Sequence, residues 1–202
     1  MLALEQLQTP RTNDLSRWQE CCLLFRIDPD KTGLDERVVI ADIRTPIFQY
    51  QAFAVYWQMK TSKEVGGGIV ADTPGLGKTL ISLALVVVER QLCMVWDDVV
   101  KSRENNNGNH LQENEPGVCP TDNLEERKGW IACPCASSSP ASRMPKKMGV
   151  RIVVVPASLT SNWRKSWAAH IDSSNTKFGM RLLLAHTESY GNALTAEVAQ
   201  PL

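Results

Sequence analysis

Gly75, Gly77, Lys78 and Thr79 are the residues best suited to chemistry, and they lie within GGGIVADTPGLGKTLISLAL, from Gly66 to Leu85. Two glycines without Cβ let the chain turn tightly and bring its amides close to an anion. Lys78 supplies a mobile point charge for outer phosphates, and Thr79 a hydroxyl where the Mg²⁺ that accompanies a nucleotide would sit. Asp72, Thr73, Pro74 and Leu76 complete the turn. The strict loop pattern has glycine where this chain has Asp72, leaving Ala71-Asp72-x-x-Gly75-x-Gly77-Lys78-Thr79. An ordinary glycine turn that opens a helix is the plain alternative. The apolar run before the turn and the long apolar run after it favour the order strand, phosphate loop, helix.

Other residues offer weaker chemistry. The amide of Gln51 carries a donor and an acceptor, which suits the edge of adenine, although a surface glutamine on a helix is the commoner use. Asp97-Asp98 could end a strand as a magnesium site, but follows so closely on the preceding helix that a helix continuation or a local strand is preferred. Cys119, Cys133 and Cys135 could begin a zinc site. Their spacing is not CxxC…CxxC, no fourth ligand is evident and His110 is the only nearby candidate, so reduced loop cysteines are the preferred reading and no metal is assigned. Asp28, Asp30 and Thr32 read as a solvated acidic turn, because the glycine and Glu36 miss the spacing of a calcium loop.

These residues need elements to position them. Leu15 to Phe25 reads as a helix with Trp18, Cys22 and Phe25 on one side, and Val38, Val39 and Ile40 as a short strand. Thr45-Pro46 is a helix-start signal, after which Phe48, Ala52, Val55, Tyr56 and Met59 recur at helical spacing. Ile69 to Ala71 is the strand before the loop, and Thr79 to Gln91 the helix after it. Ile152 to Val155, followed by Pro156, reads as a buried parallel strand. Ser158 is the expected N-cap of a helix burying Leu159, Trp163, Trp167 and Ile171, and Met180 to Ala185 is a third strand. Strand–helix alternation predicts an α/β fold with a parallel sheet and flanking helices. Residues 100–148, polar and rich in Asn and Ser, are expected to be a long disordered insertion. The predicted organisation is an N-terminal extension over 1–43 and one lobe over 44–202.

Hydrophobic residues make up 43% of the 202, enough for a folded core. Lys+Arg and Asp+Glu are equal at 22 each, so any nucleic-acid site must be local. The N-terminus lacks the pattern of a signal peptide, and the apolar stretch Leu80 to Val88 is shorter than the roughly 20 residues a bilayer takes. A soluble, intracellular chain with reduced cysteines is the expectation.

Three segments together resemble a family. Tyr50-Gln51-x-x-x-Val55-x-Trp57, Gly67-Gly68-Ile69-Val70-Ala71-Asp72-x-x-Gly75-Leu76-Gly77-Lys78-Thr79-Leu80 and Val153-Val154-Val155-Pro156-Ala157-Ser158-Leu159-x-x-Asn162-Trp163 look like the first three motifs of the Swi/Snf-family helicase-like ATPases, in the same order. The resemblance runs from about Ile43 to His186 and implies the beginning of a RecA-like lobe. It implies ATP and Mg²⁺ as cofactors, double-stranded DNA or chromatin as partner, and residence in the nucleus. By matching position, Gln51 would read adenine, Asp72 to Thr79 would hold the phosphates, and Pro156, Ala157 and Ser158 would meet a DNA backbone phosphate. Arg164 and Lys165 would add nonspecific attraction; Trp163 and Trp167 read as core. The family's Asp-Glu box does not follow the third motif within the 202 residues, and no second lobe with its arginine finger is present. The expectation is an N-terminal fragment of such an ATPase that does not hydrolyse ATP alone. A non-catalytic nucleotide- or DNA-binding module, and a small phosphotransferase using Asp97 and Asp98, are the alternatives.

Overall fold

A computed structural model describes residues 12–31, 33, 35–105, 110, 118–144, 152–172 and 182. Four helices carry the fold: α1 (Thr12–Phe25), α2 (Gln49–Val65), α3 (Lys78–Glu104) and α4 (Thr160–His170). Two short strands, β1 (Arg37–Val38) and β2 (Ile47–Phe48), pair antiparallel, with Arg37 opposite Phe48 and Val38 opposite Ile47.

The helix α3 organises the rest. Ile81, Ala84, Val88, Leu92, Val95, Val99 and Ser102 recur three or four positions apart and are all buried, so one largely apolar face runs for about six turns. That face overrides the low helix propensity of its valines. It carries the helix well past Gln91, where the sequence led us to expect its end, and makes Leu92 to Trp96 a helix continuation. Lys101 and Arg103 sit in the last turn, where cations offset the helix dipole. By length and composition α3 could cross a bilayer. Here its apolar face packs on α2 and α4.

Helix α2 buries the predicted face, Ala52, Val55, Tyr56 and Met59, and ends at Gly66, whose φ of 81° is the left-handed cap that glycine adopts freely. Its start is later than Thr45-Pro46 suggests. The Thr45 hydroxyl lies 2.8 Å from Nδ1 of His170 at the end of α4, instead of capping α2. Ile47 is fully buried and pairs in β2, while the Arg37 guanidinium lies 3.4 Å from the centre of the Phe48 ring. Helix α1 packs on α2 through Cys21, Leu24 and Phe25 and belongs to the same hydrophobic core. Asp28 to Lys31 forms the expected turn, with the Asp30 amide donating to Asp28 Oδ1 at 3.1 Å.

The parallel sheet expected from the sequence is not formed among the described residues. Residues 69–71 and 152–155 take no regular secondary structure and join no ladder. Ile69, Ile152 and Val154 are 87%, 82% and 90% exposed, since no strand lies beside them. A strand without a hydrogen-bonded neighbour has nothing to bury its side chains against. Besides β1 and β2, the described strand contact is the bridge between Ile43 and Ile171. The predicted strand Met180 to Ala185 lies outside the described residues apart from Leu182.

The expectation of a disordered insertion is also corrected over the described residues. Residues 100–104 belong to α3, and residues 118–144 fold as three 3₁₀ turns (Pro120–Asn123, Glu125–Arg127 and Pro140–Arg143) packed on the core. Ile131 is the anchor, 1% exposed. Its amide donates to Oε1 of the fully buried Gln91, whose Nε2 donates to the Ala41 carbonyl at 2.9 Å. The Ala132 amide donates to the Leu24 carbonyl, and the Ala41 amide to the Gly129 carbonyl, both at 2.8 Å. Composition suggested a polar loop because its apolar anchors are few and spread out.

Candidate functional site: the loop before α3

The turn Asp72 to Gly77 leads into the N-terminus of α3, where free backbone N–H groups point out of the helix. Gly75 and Gly77 have φ of 92° and 77°, as the tight turn demands. At Gly77 space matters as well. A Cβ there would lie 2.5 Å from Nε2 of Gln51, a collision no relaxed side chain makes. The Gly77 carbonyl accepts from the Ile81 amide at 3.0 Å and so starts the helix ladder.

Gln51 is 3% exposed and holds the turn from below. Its Oε1 accepts from the Phe48 amide at 3.0 Å and its Nε2 donates to the Leu76 carbonyl at 3.2 Å. The same amide therefore ties the start of α2 to the loop. One N–H and one lone pair of Gln51 stay outside these two bonds. Tyr50, whose role the sequence did not suggest, donates from its hydroxyl to the same Leu76 carbonyl at 3.3 Å. Burial, and then the charge of Asp72, raise the Tyr50 pKa above its ordinary value, so the phenol stays a donor. Its place beside Gln51 was the only available signal.

Lys78 curls back over the turn, its Nζ donating to the carbonyls of Asp72 at 2.8 Å and Thr73 at 3.0 Å. The ammonium is thus held above the loop by neutral oxygens that an anion can replace. Thr79 is half-buried on the first turn of α3. Asp72, Thr73, Pro74 and Gly75 are exposed, and Leu76 is half-buried. The arrangement joins a cation, a helix N-terminus and a glycine turn on an exposed surface, the groups that suit an anion.

The other candidates fall elsewhere. Pro156, Ala157 and Ser158 are exposed on the 3₁₀ turn Ala157–Leu159 that leads into α4. Ser158 does not cap the helix: α4 starts at Thr160, whose Oγ1 donates to the Ala157 carbonyl at 2.6 Å. Arg164 and Lys165 are exposed on α4, Trp163 and Trp167 pack against the core, Ile171 is buried and Leu159 is 43% exposed. Asp97 and Asp98 are exposed on α3, and Asp98 pairs with Arg127 at 3.0 Å. They end no strand. At 1.5 Å per residue they lie about 28 Å along the helix from Lys78, too far to share a metal with its phosphates. A phosphotransferase built on that pair is therefore set aside. His110, Cys119, Cys133 and Cys135 are brought together at a separate place.

A family model described as the SNF2-related domain matches residues 50–190. No curated protein and no solved structure matches the chain.

Proposed function

This chain belongs to the SNF2-related domain family, a family of Swi/Snf-type ATPases and helicases, and on that footing we propose that its loop Asp72 to Thr79 binds the phosphates of ATP–Mg²⁺. The observation that carries the reading is the preformed turn: Gln51 and Tyr50 both grip the Leu76 carbonyl, a Cβ on Gly77 would meet the Gln51 amide, and Lys78 folds back over the turn. Preorganisation of this kind lowers the ordering cost of a ligand. Lys78 exchanges its two carbonyl partners for phosphate oxygens, and a charge-assisted bond is the stronger one. The Thr79 hydroxyl takes the magnesium, which screens the triphosphate charge when bound. The spare N–H and lone pair of Gln51 serve the adenine edge.

The partner we assign is double-stranded DNA or chromatin, in the nucleus. The exposed turn at Pro156, Ala157 and Ser158, with Arg164 and Lys165 on the helix after it, suits a backbone phosphate. Such contacts are sequence-independent and weaken with salt.

The test is a titration of the purified chain with a fluorescent ATP analogue, with and without Mg²⁺. Saturable, magnesium-dependent binding that Lys78→Ala removes is the expected result. Equal signals from the wild type and Lys78→Ala, or no binding by either, would overturn the assignment.

A further inference from the structure

We propose that His110, Cys119, Cys133 and Cys135 form a closed zinc site that ties His110 to the segment 118–144 and cross-links that segment internally. Their four ligand atoms all lie within 4.8 Å of one another. His110 Nδ1 is 3.4 Å from Cys119 Sγ and 3.5 Å from Cys133 Sγ. A tetrahedral zinc with bonds of about 2.3 Å to sulfur and about 2.0 Å to nitrogen has nitrogen–sulfur edges of about 3.5 Å and sulfur–sulfur edges of about 3.8 Å. The two nitrogen–sulfur distances match that edge, and all four ligand atoms lie within 4.8 Å of one another, so they need to close up only slightly on a shared cation.

Burial separates this cluster from chance. Cys119, Cys133 and Cys135 are 0%, 1% and 2% exposed, and all three are free thiols. A buried free cysteine usually acts as a small apolar side chain. That use does not explain why the ring nitrogen of the half-buried His110 lies within 3.5 Å of two of the three buried sulfurs. Three thiolates and one imidazole in tetrahedral reach are a donor set that selects zinc over magnesium or calcium. Four protein ligands leave no open position for water, which makes the site structural and not catalytic.

The surroundings hold the ligands in place. The Cys133 amide donates to both oxygens of Asp122 at 3.1 Å, and Asp122 pairs with Arg26 just past the end of α1 at 2.5 Å. Thr121 Oγ1 lies 3.0 Å from Cys119 Sγ. Hydrogen bonds behind the ligands are the usual support of a metal centre. Cys133 and Cys135 are separated by Pro134 alone, so the motif spacing of common zinc folds is missing; the sequence suggests these residues only weakly, and the fold brings all four together.

The experiment uses the whole chain, purified from zinc-containing medium with any affinity tag removed. Elemental analysis should find one zinc per chain. Replacement by Co²⁺ should give the intense visible bands of a tetrahedral thiolate complex. Cys133→Ser and Cys135→Ser should lose the metal, Cys93→Ser should keep it, and His110→Cys should keep it with a fourth thiolate. Folded protein without zinc whose cobalt titration shows no thiolate band would overturn the proposal. So would a disulfide among Cys119, Cys133 and Cys135 by intact mass after alkylation, or full zinc content in both serine variants. Should those variants fail to fold, the cobalt spectrum of the unaltered chain decides.

Discussion

The glycine turn before α3 and the cysteine-bearing segment attach to the two halves of α3 and are built in opposite ways. The loop stays at the surface: Ile69 before it is 87% exposed, and it is fixed by the Gln51 and Tyr50 bonds to the Leu76 carbonyl. The segment 118–144 is sunk into the core through Ile131, Gln91 and the Leu24 carbonyl. A site that must admit a ligand keeps its polar groups accessible and is positioned by a few bonds to a rigid helix. A segment with no such duty can be held by burial. The difference makes the two regions respond differently to substitution.

The largest effect should come from the buried side. Ile131→Ala should destabilise the protein by about 2–4 kcal/mol in urea melts, the range for truncating a packed aliphatic residue. Ile69→Ala should cost less than about 0.5 kcal/mol, as an exposed position does. Equal costs would erase the contrast. Next in size, Lys78→Ala should weaken ATP–Mg²⁺ binding by about 10- to 100-fold, the worth of a charge-assisted contact. Its melting curve should stay close to that of the wild type, because the Lys78 ammonium, among the described residues, bonds to carbonyls of its own loop. Gln51→Ala should do some of each. It strips partners from the Phe48 amide and the Leu76 carbonyl, so about 1–2 kcal/mol of stability should go, with a several-fold loss of nucleotide affinity by the same titration.

The smallest effect tests the core around α1. Glu20 accepts from the Tyr56 hydroxyl and pairs with Lys60 at 2.7 Å and Arg143 at 2.9 Å. Burial alone would raise its pKa; the Lys60 and Tyr56 hydrogen bonds and the charges of Lys60 and Arg143 outweigh it, so the carboxyl sits below its ordinary 4.5. A lowered carboxyl stabilises the fold above the unfolded value and loses that contribution as pH falls through the folded one. Glu20→Gln should therefore cost about 1 kcal/mol at neutral pH. The gap from wild type should close in urea melts run below pH 4.5. A gap that persists in acid would mean the residue acts by packing instead.

What could be read from the chain differed between the same two regions. The glycines, Lys78 and Thr79 lie next to one another, so local pattern exposes them, and the face of α2 is marked by its own spacing. Tyr50 and Gln51 act on a residue 25 or more positions away, and nothing nearby says that their partner is a carbonyl. The expected sheet was inferred from β-branched runs at 69–71 and 152–155. Composition reports that such runs suit a ladder, while pairing depends on a neighbour that composition cannot supply. The reverse error arises at 118–144, which composition groups with the Asn-rich run before it and reads through its serines, while three cysteines and Ile131 decide the packing. The end of α3 was misjudged because the window stopped at the charges near Glu89 and Arg90, whereas its buried stripe continues to Ser102.

Positions 51 and 77 are a matched pair, although the chain between them spans most of α2 and the whole turn. Volume added at one must be surrendered by the other. Gly77→Ala alone suffers twice, from its left-handed backbone and from the Gln51 amide in its way. Pairing it with Gln51→Ala should relieve the collision and leave the backbone cost of about 1–2 kcal/mol on top of the roughly 1–2 kcal/mol that Gln51→Ala costs by itself. These two sites can therefore drift only in concert, and a double-variant cycle on them would measure steric conflict apart from torsional strain.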